Sequence, residues 1–237
     1  MARPEPERLT PIPGPLALAA SLAAVAGCLD ALSLFRLTGT FVAFQSGNTV
    51  LAGLELGQGH LARMWPPLVA VLTYIAGSAL TPFVIRVGTG AEHAARRLLG
   101  WATILLAGDA AVILIGFGAG SERPTGALRY LGIVLATTAM AMQTSSVRSV
   151  DGVSVSSTFS SGMLVRFGQS IGELVHPGAR AREWPVARIL AVTNVAFLGG
   201  AVVGGVIIDA WGNAAILVPT IALAAVALLR ARLVRAP

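Results

Sequence analysis

Two carboxylates, two Ser/Gly-rich segments and one arginine are the residues of this chain best placed to do chemistry. Asp30 stands in Gly27-Cys28-Leu29-Asp30-Ala31, toward the end of an apolar run. Asp109 stands midway through the apolar run 98–118, with no other charge within eight residues on either side. Acids in such surroundings face a protein interior or water and mark ion and proton paths. Both are therefore candidates for ion or proton coupling. The competing reading is a carboxyl hydrogen-bonded to a neighbouring helix for packing. Ser46-Gly47-Asn48-Thr49 offers hydroxyls, an amide and a flexible backbone. A helix broken there leaves N–H groups that can hold an anion. Ser160-Ser161-Gly162 offers the same chemistry, and Arg166 lies one turn beyond. A buried Arg166 would pair an anionic solute or Asp109. Gln143 is a weaker candidate for lining the same path. Against all this, Ser and Gly also simply let helices pack closely.

The elements that must carry these residues follow from composition. The chain has 237 residues, a net charge of +6 and only 12% charged residues. Its hydrophobic fraction is 55%, and the 27 Gly bring that to about two thirds. A soluble domain shows ~45–50% with Gly included and about 25% charged. Mean hydropathy is +0.76. These values exclude a disordered chain, a nucleic-acid-binding domain and an ordinary soluble enzyme. They leave a polytopic membrane protein whose first partner is the lipid bilayer. The 17 basic residues are all Arg and lie between the apolar runs. That is a positive-inside pattern, not a nucleic-acid footprint. A single Cys excludes a disulfide framework and a Cys-based metal site. No nucleotide, cofactor or metal motif is present, and no enzyme is expected. Ser46 and Ser161 do sit in F-x-S-G, a setting an intramembrane serine hydrolase could use. Such an enzyme needs a His base in a spanning helix, whereas His60, His93 and His176 all fall in predicted loops.

A spanning helix needs about 20 apolar residues. Six runs qualify: 15–35, 66–85, 98–118, 126–147, 186–208 and 213–229. Trp65, Trp101, Tyr130, Trp184 and Trp211 lie at or near run ends, as interfacial anchors do. Trp211-Gly212-Asn213 reads as a short turn between the last two spans, and Pro82 and Pro219 should kink theirs. Gly200 and Gly204 form a small-xxx-small pair suited to close helix packing, within the chain or in a homo-oligomer. Segments 40–59 and 153–172 are too polar to face lipid. They are expected as buried short helices or re-entrant hairpins. Residues 1–14 read as a disordered cytoplasmic tail, and 15–237 as a single membrane domain. Val25-Ala26-Gly27-Cys28 resembles a lipoprotein cleavage box, but the apolar run continues to Phe35 and reads as an uncleaved first span. With six spans and the N-terminus inside, 13 arginines lie inside and four outside. Eight spans give 11 inside, five outside and Arg166 buried. Both arrangements place both termini in the cytoplasm.

The two polar segments resemble each other. Phe44-Gln45-Ser46-Gly47 aligns with Phe159-Ser160-Ser161-Gly162 at an offset of 115, and Val50 then meets Val165. Trp65-Pro66 matches Trp184-Pro185 at an offset of 119. The chain thus reads as two halves, about 15–120 and 121–237. Three spans per half make the halves inverted in the membrane, an arrangement of many secondary transporters. Four spans per half would make them parallel.

These motifs carry a family resemblance. Gly27-Cys28-Leu29-Asp30, then Phe44-Gln45-Ser46-Gly47-Asn48, then Gln143-Thr144 and Ser157-Thr158-Phe159-Ser160-Ser161-Gly162 resemble the YoaK-type family of small bacterial inner-membrane proteins. The likeness covers about residues 15–230, with Ser46 and Ser161 where that family often has Thr. It implies a six-span protein and supplies no substrate. The expectation is an all-α integral membrane protein with two inverted three-helix repeats, each holding a broken polar segment. Its expected role is a secondary transporter or permease for a small anionic solute. The alternative is a non-catalytic membrane scaffold, and last an intramembrane serine hydrolase.

Overall fold

The computed structural model describes residues 15–37, 39–86, 91–158, 160–176 and 178–233, with backbone alone at 91, 92, 160, 161 and 231–233. The tail expected at 1–14 lies outside the described residues. Among those described, the elements run α1 (Leu16–Arg36), α2 (Gln45–Gly57), α3 (Leu61–Arg86), α4 (Ala91–Phe117) and α5 (Gly126–Ser146). They continue with β1 (Ser149–Val150), β2 (Val153–Ser154), α6 (Ser160–Glu173), α7 (Arg180–Trp211), a 3-10 turn (Gly212–Ile216) and α8 (Leu217–Leu233).

Four helical stretches are long and apolar enough to cross a membrane: Leu16–Arg36, Leu61–Arg86, His93–Phe117 and the continuous Arg180–Arg230. The protein is therefore an all-α membrane protein with one small hairpin. The last stretch contains both α7 and α8. Helix α5 matches the others in length but carries Thr137, Thr138, Gln143, Thr144 and Ser145, which lower its apolarity. Outward faces are apolar where lipid would lie, with Ile75, Ile104, Val195 and Val206 all exposed.

Helix α1 is the buried centre, and it packs along α7. The reason is steric. A Cβ at Gly27 would strike the Phe197 carbonyl, and one at Gly200 or Gly204 the carbonyls of Ala24 or Cys28. Gly200 and Gly204 thus bring α7 against α1 within this chain. Helix α5 packs on α3 in turn, with Gly77 facing Thr138 and Ala141.

Three expectations are corrected. Pro219 is the third residue of α8, where a missing N–H is tolerated, so it starts a helix and does not kink one. The polar segments are not buried all round. Each has an extended stretch leading into a short helix with one outward apolar face, on which Val50 is 69% and Val165 62% exposed. The second also contains a hairpin. Asp151 (φ 47°) and Gly152 (φ 79°) supply the two positive-φ positions of its turn.

Candidate functional site

The extended stretch before α2 is held by two buried side chains. Asp30 Oδ1 accepts the backbone N–H groups of Val42 (2.9 Å) and Ala43 (2.7 Å). Asn48 Oδ1 accepts the Phe41 N–H at 2.9 Å, while its amide donates to the Phe41 carbonyl at 2.7 Å and to Gln45 Oε1 at 3.0 Å. Asn48 therefore acts as a strand partner for one residue, satisfying backbone groups that have no ladder. Gly47 leaves room for the Phe44 ring, which meets Phe41 edge-on at 5.3 Å. Ser46 and Thr49 lie on the exposed side of α2, and the Thr49 hydroxyl donates to the Gln45 carbonyl.

The stretch before α6 is held from α5 and α3. The Gln143 amide donates to the Leu22 carbonyl (2.9 Å) and to Ser157 Oγ (3.5 Å). Thr158 Oγ1 hydrogen-bonds both Thr144 and Tyr74, each at 3.0 Å. The Ser156 N–H points at Met163 Sδ, 3.4 Å away. Thr144 and Ser157 entered the sequence reading only as motif letters, and Tyr74 was not singled out. Their roles depend on which helices meet. The side chains of Ser160 and Ser161 lie outside the described residues.

Asp109 is buried, and its Oδ1 has no hydrogen-bond partner among the described residues. It does not meet Arg166. Both Asp109 and Arg36 line a cavity of about 10 Å³ among Leu29, Val42 and Ile216. Arg36 is buried at the end of α1, and its Nε and Nη1 are likewise without partners. That space lies at the lower bound for one water, ~10–15 Å³. Asp109 and Arg36 thus face one small cavity, and among the described residues no ion pair joins them. In the sequence Arg36 stands just past an apolar run, where nothing marks it as a buried residue.

Arg166 is corrected too. Helix α6 packs on α7 at the surface, which leaves the Arg166 side chain 53% exposed and 3.7 Å from Glu183 Oε2. It lines an α6–α7 cleft of about 710 Å³, together with Gly162 and Arg182. A second cleft, of about 480 Å³, lies between α2 and α3 and is lined by Leu51, Glu55, Arg63 and Arg129. The two polar segments thus line separate clefts.

The sequence from α1 to α8 matches a family described as "Protein of unknown function (DUF1275)" over residues 18–229. The chain belongs to this family. It is also 28% identical over 207 residues to a "UPF0700 transmembrane protein" of Rhizobium meliloti (strain 1021), covering 87% of this chain and 82% of the relative. No solved structure matches. Within this DUF1275 chain the motif residues sort by geometry. Asp30 and Asn48 hold backbone, Gln143 ties α5 to α1, and Asp109 and Arg36 face one small cavity.

Proposed function

We propose that the chain is a secondary transporter or channel-like permease for a small anionic solute. It would have six spans in two inverted repeats, in a bacterial inner membrane with both termini cytoplasmic. The observation that carries this reading is a set of matched contacts at the offset of 115. The Phe41 N–H meets Asn48, and 115 residues later the Ser156 N–H meets Met163. Val42 and Ala43 are held from α1, and Ser157 and Thr158 from α5. The helices exchange in the same sense: α1 packs on α7 and α5 on α3, α2 on α3 and α6 on α7, and α4 meets α8. Inverted repeats with broken segments suit alternating access by rocking one half against the other. Asp109 beside Arg36 would couple the ion or proton, and no catalytic step is needed.

Sided cysteine labelling tests this reading. Cys28 is replaced by Ser, and a single Cys is placed at position 46 or 161. A membrane-impermeant maleimide is applied to intact cells and to inverted vesicles. Labelling of the two positions from opposite sides is the expected result. A common side would mean parallel four-span halves and would remove the permease reading. In proteoliposomes, Asp109→Asn should abolish pH-dependent solute uptake; uptake unchanged across pH would remove Asp109 from the coupling role.

A second reading, a membrane scaffold, is favoured by one observation. Asp30 and Asn48 direct their hydrogen bonds to backbone. Under that reading neither position labels, and substitutions alter stability or complex formation with no flux to lose.

A further inference from the structure

The Trp-Pro repeat extends backwards. Ala62-Arg63-Met64-Trp65-Pro66 opens α3, and Ala181-Arg182-Glu183-Trp184-Pro185 opens α7. Each stretch is one wall of a cleft whose other wall is the short helix before it. Five of the eight positions that line the α2–α3 cleft have a counterpart lining the other. Gly39 matches Ser154 and Leu51 matches Arg166 at the offset of 115. Arg63 matches Arg182, Pro66 matches Pro185 and Pro67 matches Val186 at the offset of 119.

The clefts differ in what their arginines hold. Beside the α6–α7 cleft, the buried Glu183 carboxylate is already bound by the two arginines that line it. Arg182 Nε donates to its Oε1 at 3.0 Å, Ser170 Oγ donates to its Oε2 at 3.0 Å, and Arg166 stands 3.7 Å away. Two guanidinium groups and a hydroxyl thus converge on one oxyanion, although Arg166 and Arg182 keep much of their own surface in solvent. In the α2–α3 cleft Met64 stands at the position of Glu183. Among the described residues no carboxylate pairs with Arg63. Glu55, on the α2 wall, is engaged by His60 at 3.0 Å. Arg129, from α5, reaches the cleft with its guanidinium against the Tyr130 ring. The cleft has room for several atoms beyond a water, and its lining carries two positive charges against one negative. Guanidinium groups favour carboxylate and phosphate oxygens, which they can take in pairs.

We propose that the α2–α3 cleft binds a small oxyanion, a carboxylate or a phosphate, at Arg63, and that Glu183 is the built-in counterpart of that anion for the arginines beside the matching α6–α7 cleft. This deepens the permease reading by naming the solute class at one mouth, and it takes the correspondence of the halves from that reading. The phosphate could be free or part of a lipid headgroup.

The test uses the full chain in detergent and in zwitterionic nanodiscs. Binding of acetate and of inorganic phosphate is measured by calorimetry at constant ionic strength, against chloride. Arg63→Gln should weaken binding at least about tenfold, the loss of one charge-assisted contact. Met64→Glu, which supplies an internal carboxylate as α7 does, should weaken it as much. Met64→Gln should leave it unchanged, and Glu183→Gln should add a second site. Where neither free anion binds but phosphatidylglycerol is retained in an Arg63-dependent way, the occupant is a headgroup and the proposal stands. Acetate, phosphate and phosphatidylglycerol all indifferent to Arg63→Gln would overturn it. Labelling from a common side with Arg63-dependent binding intact would end the permease reading and leave this site standing. If Met64→Glu fails to fold, Arg63→Gln and Glu183→Gln decide the question alone.

Discussion

The stretches ahead of α2 and α6 are both held by side-chain contacts, but by different chemistry. Ahead of α2, a carboxylate takes two backbone N–H groups and an amide pairs both polar groups of Phe41, all within 3.0 Å. Ahead of α6, a thioether stands in for the amide at 3.4 Å, and the helix bonds side-chain hydroxyls. Hydrogen bonds to charged groups contribute about 1.5–3 kcal/mol and neutral ones about 0.5–1.5, while a thioether is a weak acceptor. The difference teaches that two stretches leading into short helices can be held by unlike chemistry, so that the rigidity of each is set separately. The first half is the anchored one and the second the compliant one.

Helix contacts should show the largest contrast. Gly200→Ala would drive a methyl into the Ala24 backbone, which cannot yield without moving α7, whereas at Gly77 the nearest atom is the Ala141 methyl at 3.1 Å. Gly200→Ala is expected to cost about 3 kcal/mol or more, and Gly77→Ala under about 1. The assay can be labelling of Cys28, the single buried thiol, with a fluorogenic maleimide during heating. Equal shifts for the two variants would show that the α1–α7 and α5–α3 contacts do not differ as described. Next in size is Asp30→Ala, which strands two buried N–H groups at about 1–3 kcal/mol each. Asp30→Asn keeps an acceptor and should retain more than half of that stability in the same assay. Smaller again is exchange of the corresponding residues. Asn48→Met should lower stability by about 1–2 kcal/mol, and Met163→Asn should leave it unchanged or raise it by up to about 1. A loss at both positions would mean that the halves do not share a path. The smallest effect needs no mutation. Amide hydrogen exchange should be slower at Phe41, Val42 and Ala43 than at Ser156, Ser157 and Thr158, and the reverse order would invert the assignment of the anchored half.

Much of the frame was legible in the sequence, because apolar runs and Ser/Gly interruptions are set by the bilayer. The starts of α2 and α6 fall within the segments marked as polar, and the offset of 115 came from four residues around Phe44 and Phe159. What was not legible depended on approach in space. Arg36 joins Asp109 only because α1, α4 and the 3-10 turn converge there. The role of Asn48 as a backbone partner was not legible either, since nothing in its neighbours reveals that Phe41 would fold back seven residues. The hairpin did carry a local signal, Asp151-Gly152, which membrane-run counting passes over. Arg63 and Arg182 were noted only as loop charge, and their correspondence emerges from the two clefts.

The glycine contact of α1 with α7 has a consequence for how the protein is made. The partner of the first helix is synthesised some 150 residues later, which at ~5–20 residues per second is a wait of roughly 8–30 s. During that interval the face of α1 with Ala24, Gly27 and Cys28 lacks the helix that covers it, so lipid or the insertion machinery must hold that face until α7 arrives. Birth of this protein is therefore a holding problem before it is a folding problem.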